Sequence, residues 1–215
     1  MTKIELLIFD LDGTLVDSLR DITQSVNFTL LKIGLQPLPE KQIQSYVGDG
    51  ISLLLSRCIQ TQRESAESLL KEALRAYERH HTEHCLDYSK LYPDVENVLS
   101  HFQNKNKVII SNKPENFTKK VAKGLGIAPH FDIILGGDSL LEKKPSPMPV
   151  LFALDKLGQK PRNAVMIGDG HQDIACGKAA GILTCGVTYG FRSREAVAGA
   201  DFVVDRLDAI KLLFN

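Results

Sequence analysis

The sequence is short of several things, and most of these shortages exclude a class of protein. It has no tryptophan, four scattered cysteines, no surplus of either charge and no long apolar run. The missing tryptophan excludes nothing. The cysteines, Cys58, Cys85, Cys176 and Cys185, never form a Cys-x-x-Cys pair. A disulfide framework or zinc knuckle is therefore not indicated, and a reducing compartment is expected. Lys plus Arg number 26 and Asp plus Glu number 26. Nucleic-acid and anionic-membrane partners both demand a basic surface, so neither is expected. No stretch is long enough to cross a bilayer, and no basic-then-apolar leader precedes the first apolar run, so a cytoplasmic location is the expectation. What remains is a globular chain of 215 residues, 43% hydrophobic. That length suffices for one core with a smaller insertion.

The stretch from Ile4 to Phe9 is apolar, with β-branched and aromatic residues, and reads as a buried strand. It ends in Asp10 and Asp12, followed by Gly13 and Thr14. Two acids at the carboxyl end of a strand, beside a glycine turn, suit a hard cation and a phosphate. Asp-Gly is also a common turn without chemistry, so this stretch alone leaves both readings open.

Residues from about 16 to 88 show helical periodicity and no strand signal. Asp17 or Ser18 can cap a first helix running to about Lys32, with Leu19, Ile22, Val26, Leu30 and Ile33 near one face. Helices over Leu38–Val47, Ile51–Ile59 and Glu64–His84 follow, the second and third separated by Gly48-Asp49-Gly50. That break is either a turn or a loop that helps choose substrate. From Tyr92 onward helices alternate with apolar strands at Lys107–Ser111, Phe131–Leu135, Ala164–Ile167, Leu183–Val187 and Asp201–Val204. Such alternation implies a doubly wound parallel sheet, an α/β Rossmann-like core, with ligands bound beyond the strands' carboxyl ends. The expected division is a core of residues 1–15 and 89–215, with a helical cap over 16–88 placed to act as a lid.

The turns after the strands carry the chemistry. Asp10 and Asp12 follow the first strand, and Ser111, Asn112 and Lys113 follow the second. Lys143-Lys144-Pro145-Ser146-Pro147 precedes a later helix, and Gly168-Asp169-Gly170-His171-Gln172-Asp173 follows another strand. Singly, each has a bland reading as helix cap, solvated charge or turn residue. Together at one sheet edge they suit phosphoryl transfer. Asp10 can attack phosphorus, Asp12 can carry protons to and from oxygen, and a lysine and hydroxyls can hold the phosphate oxygens. Asp169 with Asp10 can hold a cation bound by oxygen.

These four segments resemble the four motifs of the haloacid dehalogenase superfamily, in its magnesium-dependent phosphatase branch. Asp10-Leu11-Asp12-Gly13-Thr14 is similar to motif one, Ser111 to motif two, Lys144-Pro145-x-Pro147 to motif three and Gly168-Asp169-x-x-x-Asp173 to motif four. Asn112-Lys113-Pro114, Tyr46–Gly50, Ala179–Gly181 and Thr188–Gly190 resemble the phosphoglycolate phosphatase group. His171-Gln172 and Met148 depart from that pattern. The resemblance implies Asp10 as nucleophile and magnesium ligand, and Asp12 as acid/base and carbonyl ligand. It implies Lys144 as a catalytic and phosphate-binding cation, and Gly13, Thr14, Ser111 and Asn112 as further phosphate-binding residues. Asp169 would ligate Mg2+, with Asp173 in support.

The expected function is thus magnesium-dependent hydrolysis of a small phosphorylated metabolite, 2-phosphoglycolate first, through an aspartyl-phosphate. A phosphomutase, a pyrophosphate or nucleotide phosphatase, and a non-catalytic phosphate-binding regulatory protein are the alternatives, and a monomer or small homo-oligomer is expected. His80, His81, His84 and Cys85 have helical spacing that could suit zinc, yet a solvated helix end is the expected reading.

Overall fold

A computed structural model describes residues 3–214. The elements run in the order β1 (Leu6–Phe9), β2 (Val16–Asp17), α1 (Leu19–Lys32), α2 (Glu40–Tyr46), α3 (Ile51–Gln60), α4 (Glu67–His84) and β3 (Lys90–Leu91). They continue with α5 (Val95–His101), β4 (Asn106–Ile110), α6 (Glu115–Gly124), β5 (Ile133–Leu135), α7 (Met148–Lys156), β6 (Ala164–Gly168), α8 (His171–Ala179), β7 (Leu183–Val187), β8 (Phe202–Val204) and α9 (Ile210–Leu213). No helix among the described residues is long and apolar enough to cross a membrane.

Six strands form one parallel sheet in the order β5-β4-β1-β6-β7-β8. Strand β1 sits inside it because both its faces are apolar. Leu7 and Phe9 pack on one face with Val98, Phe102, Ile109 and Ile167, while Leu6 and Ile8 pack on the other with Val108, Val150 and Met166. Phe9 pairs with Ile109 of β4 and Ile167 of β6. That register puts Asp10, Ser111 and Asp169, each just beyond a strand end, at the same sheet edge.

Helices α1 to α4 build a separate apolar cluster around Val26, Leu30, Ile43, Leu55, Ile59 and Ala73, which Phe117 and Phe191 join from the sheet side. Three sequence expectations change here. The span 16–88 is not wholly helical: Val16 and Asp17 pair antiparallel with Leu91 and Lys90. Two-residue strands are too short to register as a period, so this ribbon leaves no sequence signal. Ser18 stands at the α1 N-cap but makes no cap bond with its side chain; its hydroxyl donates to Asp12 Oδ1 at 2.5 Å. Helix α4 starts at Glu67 rather than Glu64.

The chain re-enters the sheet past a buried acid. Asp21, in the first turn of α1, is fully buried. It accepts the N–H groups of Tyr88 and Ser89 and the Ser89 hydroxyl, the last two at 2.8 and 2.7 Å. Replacement by alanine would leave a buried and a part-buried backbone donor unpaired. Asp21→Ala is expected to lower stability by about 3 kcal/mol, read from urea denaturation midpoints with an unchanged slope.

Candidate active site

The central acid is Asp10. Its N–H donates to Ile167 O at 2.9 Å, which prolongs the β1–β6 ladder by one residue. Beyond it the chain folds tightly back: Leu15 and Val16 both donate to Leu11 O, and Gly13 donates to Val16 O. Gly13 takes φ +87°, and a Cβ there would lie 2.4 Å from Asp169 Oδ2. Only glycine satisfies both demands.

Lys144 is 2% exposed. Its Nζ donates to Asp10 Oδ1 at 2.7 Å and to Ile110 O at 2.6 Å, and pairs with Asp173 Oδ1 at 2.6 Å. Three partners use the three ammonium protons. Lys144 therefore restrains Asp10, and a phosphate oxygen would have to displace one of these partners to reach it. Lys143 goes elsewhere, donating to Asp49 O at 2.8 Å.

Asp10, Asp169 and Asp173 each offer an oxygen within 4.8 Å of the others, and all three are buried. Asp173, assigned a supporting role by sequence, stands in this cluster as a full member. Asp169 also accepts the Phe191 N–H at 2.7 Å, and Asp173 accepts the Gly170 N–H at 3.0 Å. Three acids face one lysine. Burial, then Asp173 and Asp169, push the Asp10 carboxyl up to about 8 against the pull of Lys144. Burial and Asp173 push Asp169 up to about 7. Burial disfavours the Lys144 charge, but Asp10 and Asp173 outweigh it and hold its pKa above the usual lysine range. An all-oxygen, over-acidic donor set fits a hard divalent cation.

Asp12 lies in a different setting. Lys113 Nζ donates to both its oxygens at 3.1 Å, and Ser18 binds Oδ1. Sequence named Lys113 only as part of its turn; its partner across the sheet edge was the missing information. Ser111 is buried, its hydroxyl accepting the Lys113 N–H at 3.3 Å. Asn112 gives both amide protons to main-chain carbonyls, Gly48 O and Lys144 O, each at 2.9 Å. The Gly13 and Thr14 N–H groups are spent inside their turn, and Thr14 is fully buried. Of the expected phosphate donors, Ser111 and Asn112 reach the cavity wall.

That cavity, about 50 Å³, lies between the sheet edge and the helical block. Asp10, Asp12 and Ser111 line it from one side, and Val47, Leu54 and His81 from the other. The helical block is tied down by its α2–α3 turn. Arg192 donates to Ser45 O and Val47 O, and Gln44 donates to Phe191 O at 2.8 Å. The His80–Cys85 stretch is not a wholly solvated end, since His81 and Cys85 are buried. His81 faces Ser25 of α1, and Cys85 joins the sheet-side core.

Comparison with known proteins now decides the family. The model of the haloacid dehalogenase-like hydrolases matches residues 7–187. The chain belongs to that family. It is 40% identical over 192 residues to a phosphoglycolate phosphatase of Neisseria gonorrhoeae, covering 87% of this chain and 81% of that one. The phosphoglycolate phosphatase of Aquifex aeolicus is 34% identical, covering 97% and 96%. Among solved structures, a predicted phosphoglycolate phosphatase from Haemophilus somnus 129pt superposes with TM-score 0.91 at 31% identity, covering 99% of each chain. Such relatives make this family member a phosphoric monoester hydrolase.

The raised carboxyls have a measurable consequence. In the unfolded chain Asp10 and Asp169 ionise near 3.8. With the folded values higher, the folded state binds more protons between the two, so stability falls as pH rises. Their contribution is whole below the unfolded value and lost as pH passes the folded one. A divalent cation favours the ionised form and opposes that loss. In chelator, the melting temperature is expected to fall between about pH 5 and about pH 8, and the increment from added magnesium is expected to grow over that window. An increment independent of pH would separate the cation from these carboxyls.

Proposed function

We propose that the chain hydrolyses a small phosphomonoester, 2-phosphoglycolate first, with Mg2+, through a phosphorylated Asp10. The observation that carries this reading is the grip on Asp10. Lys144 holds Oδ1, Oδ2 has no donor among the described residues, and Asp10 lines the cavity between the sheet edge and the helical block. A fixed carboxylate with one free oxygen is a preorganised nucleophile.

Asp10, Asp169 and Asp173, with the Asp12 carbonyl, would hold the ion. When bound, Mg2+ would neutralise phosphate charge and draw the Asp10 pKa down, keeping it ionised. Asp10 Oδ2 attacks phosphorus in line. Asp12 gives its proton to the departing alkoxide oxygen, with Ser18 and Lys113 fixing its carboxyl. Asp12 then takes a proton from the water that attacks the phosphorylated Asp10. The Ser111 hydroxyl donates to a phosphate oxygen, and Lys144 offsets the charge on Asp10 throughout. The Asn112 side chain, already bonded to two carbonyls, orders the phosphate turn and leaves its backbone N–H for phosphate.

Residues 16–88 act as the cap and the remainder as the core. The small cavity favours a small leaving group: about 50 Å³ is room for a few waters, far below the space a nucleotide needs. The match to curated phosphoglycolate phosphatases supports 2-phosphoglycolate within that class.

A turnover screen over phosphorylated metabolites, with and without magnesium, tests the reading. Free phosphate is expected only with the ion, most rapidly from 2-phosphoglycolate. Asp10→Asn is expected to lose at least about 10³-fold in kcat. Activity retained in that variant would remove Asp10 as nucleophile, and phosphate moved between sugar positions without release would indicate a mutase.

A further inference from the structure

Helix α4 contributes Tyr77 and His81 to the same cavity that Asp10 and Asp12 line. The His81 ring is 1% exposed, packed on Tyr77 at 4.8 Å between centroids and edge-on to Phe117 at 4.9 Å. Its Nδ1 lies 2.9 Å from Ser25 Oγ. The same hydroxyl lies 3.1 Å from His80 Nδ1. His81 Nε2 is buried and has no hydrogen-bond partner among the described residues. A buried polar nitrogen left unpaired is uncommon, and beside a cavity it marks the place of an absent partner.

The Ser25 hydroxyl limits that nitrogen to one of two arrangements, an Nε2–H when Ser25 donates to His81 and a bare Nε2 when it accepts. Ser25 has one proton, so it donates to one imidazole and accepts from the other. When it donates to His81 Nδ1 and accepts from half-buried His80, His81 carries its proton on Nε2. Burial first, and Lys113 second, push the His81 pKa down to about 2, so the ring is neutral. Lys113, which lines the same cavity, also pairs with Asp12, the proton donor of the proposed reaction.

We propose that His81 is a specificity residue whose Nε2–H, oriented by Ser25, donates to a carboxylate or carbonyl oxygen on the leaving group of the substrate. This rests on the phosphomonoesterase reading of the cavity and adds the group that selects among small substrates. Asp10, Lys144 and the acidic cluster handle the phosphate end, which every candidate substrate shares. A polar donor on the cap discriminates by what the rest of the substrate carries, because an analogue lacking the acceptor leaves the buried N–H unpaired.

The test is a ratio of kcat/KM values: 2-phosphoglycolate over ethyl phosphate, which keeps the two-carbon leaving group and lacks the carboxylate. His81→Phe, which keeps a ring of similar size, is expected to lower that ratio by on the order of 10- to 100-fold, mostly through KM. His81→Gln, which keeps a donor, is expected to recover part of it, and Ser25→Ala to lower it by a smaller factor. An unchanged ratio in His81→Phe overturns the proposal. So does a parallel loss on both substrates with a lowered melting temperature, which would make His81 structural. The wild-type ratio reports separately on the substrate. If wild type does not prefer 2-phosphoglycolate, the ratio is taken for the best carboxylate- or carbonyl-bearing substrate of the screen against its analogue without that group. The same outcomes then decide, and turnover of no such substrate overturns His81 as well.

Discussion

One ammonium group ties the catalytic half of the molecule together. Lys144 Nζ reaches Asp10 from β1, Ile110 O from β4 and Asp173 from α8. Four chain segments, counting its own, converge on a single buried charge. Burying a charge costs several kcal/mol unless its partners are well placed, so each segment is held to the register that supplies its partner. The pairing is also unequal by construction, with three buried carboxylates and one lysine. Burial, and then that excess, lift two carboxyls above their usual range, and the excess leaves room for a divalent cation to complete the charge balance. Stability and function therefore pull against each other here: the site is most comfortable protonated and chemically useful only when ionised.

Two aspartates, two residues apart, are sorted by environment. Asp10 is buried against Lys144 within the acidic cluster. Asp12 is bound by Ser18 and Lys113, outside that cluster and at the edge of the cavity. Placing like groups in unlike surroundings is how one site separates a nucleophile from a proton carrier. The sharp turn through Gly13 makes the separation possible, since extended backbone would set both side chains on one face. The same turn lets Asp169 approach without meeting a Cβ.

The charge site and the helical block share hardware. Phe191 gives its N–H to Asp169 and its carbonyl accepts from Gln44 of α2. The next residue, Arg192, clasps the main chain at Ser45 and Val47. Asn112 bridges Gly48 O and Lys144 O with one amide group. A displacement of the α2–α3 turn would therefore disturb bonds that end on Asp169 and on the Lys144 backbone. Covering the cavity and ordering its acids are parts of one hydrogen-bond network.

The readable parts of the sequence were those in which residue type and position speak together. An apolar run ending in two acids located β1 and Asp10, and strand–helix alternation located the sheet, because both depend on local pattern. What escaped depended on distant partners or on main-chain atoms. The β2–β3 ribbon was too short to show a period. Asn112 was read as a phosphate donor, yet its amide protons go to carbonyls, and a carbonyl has the same letter at every position. Asp173 was ranked below Asp169 because a spacing of four on a helix start does not reveal which carboxylate faces the lysine. His81 was read with its solvated neighbours, since four polar residues at the end of a charged helix look alike until Ser25 and Phe117 pack against one of them. Asn112 and His81 share one property: their surroundings are set by the contact between the helical block and the sheet edge. On the proposed reading, the phosphate chemistry is written in short motifs along the chain, whereas the choice of leaving group is made across that contact, where no local pattern exists to be read.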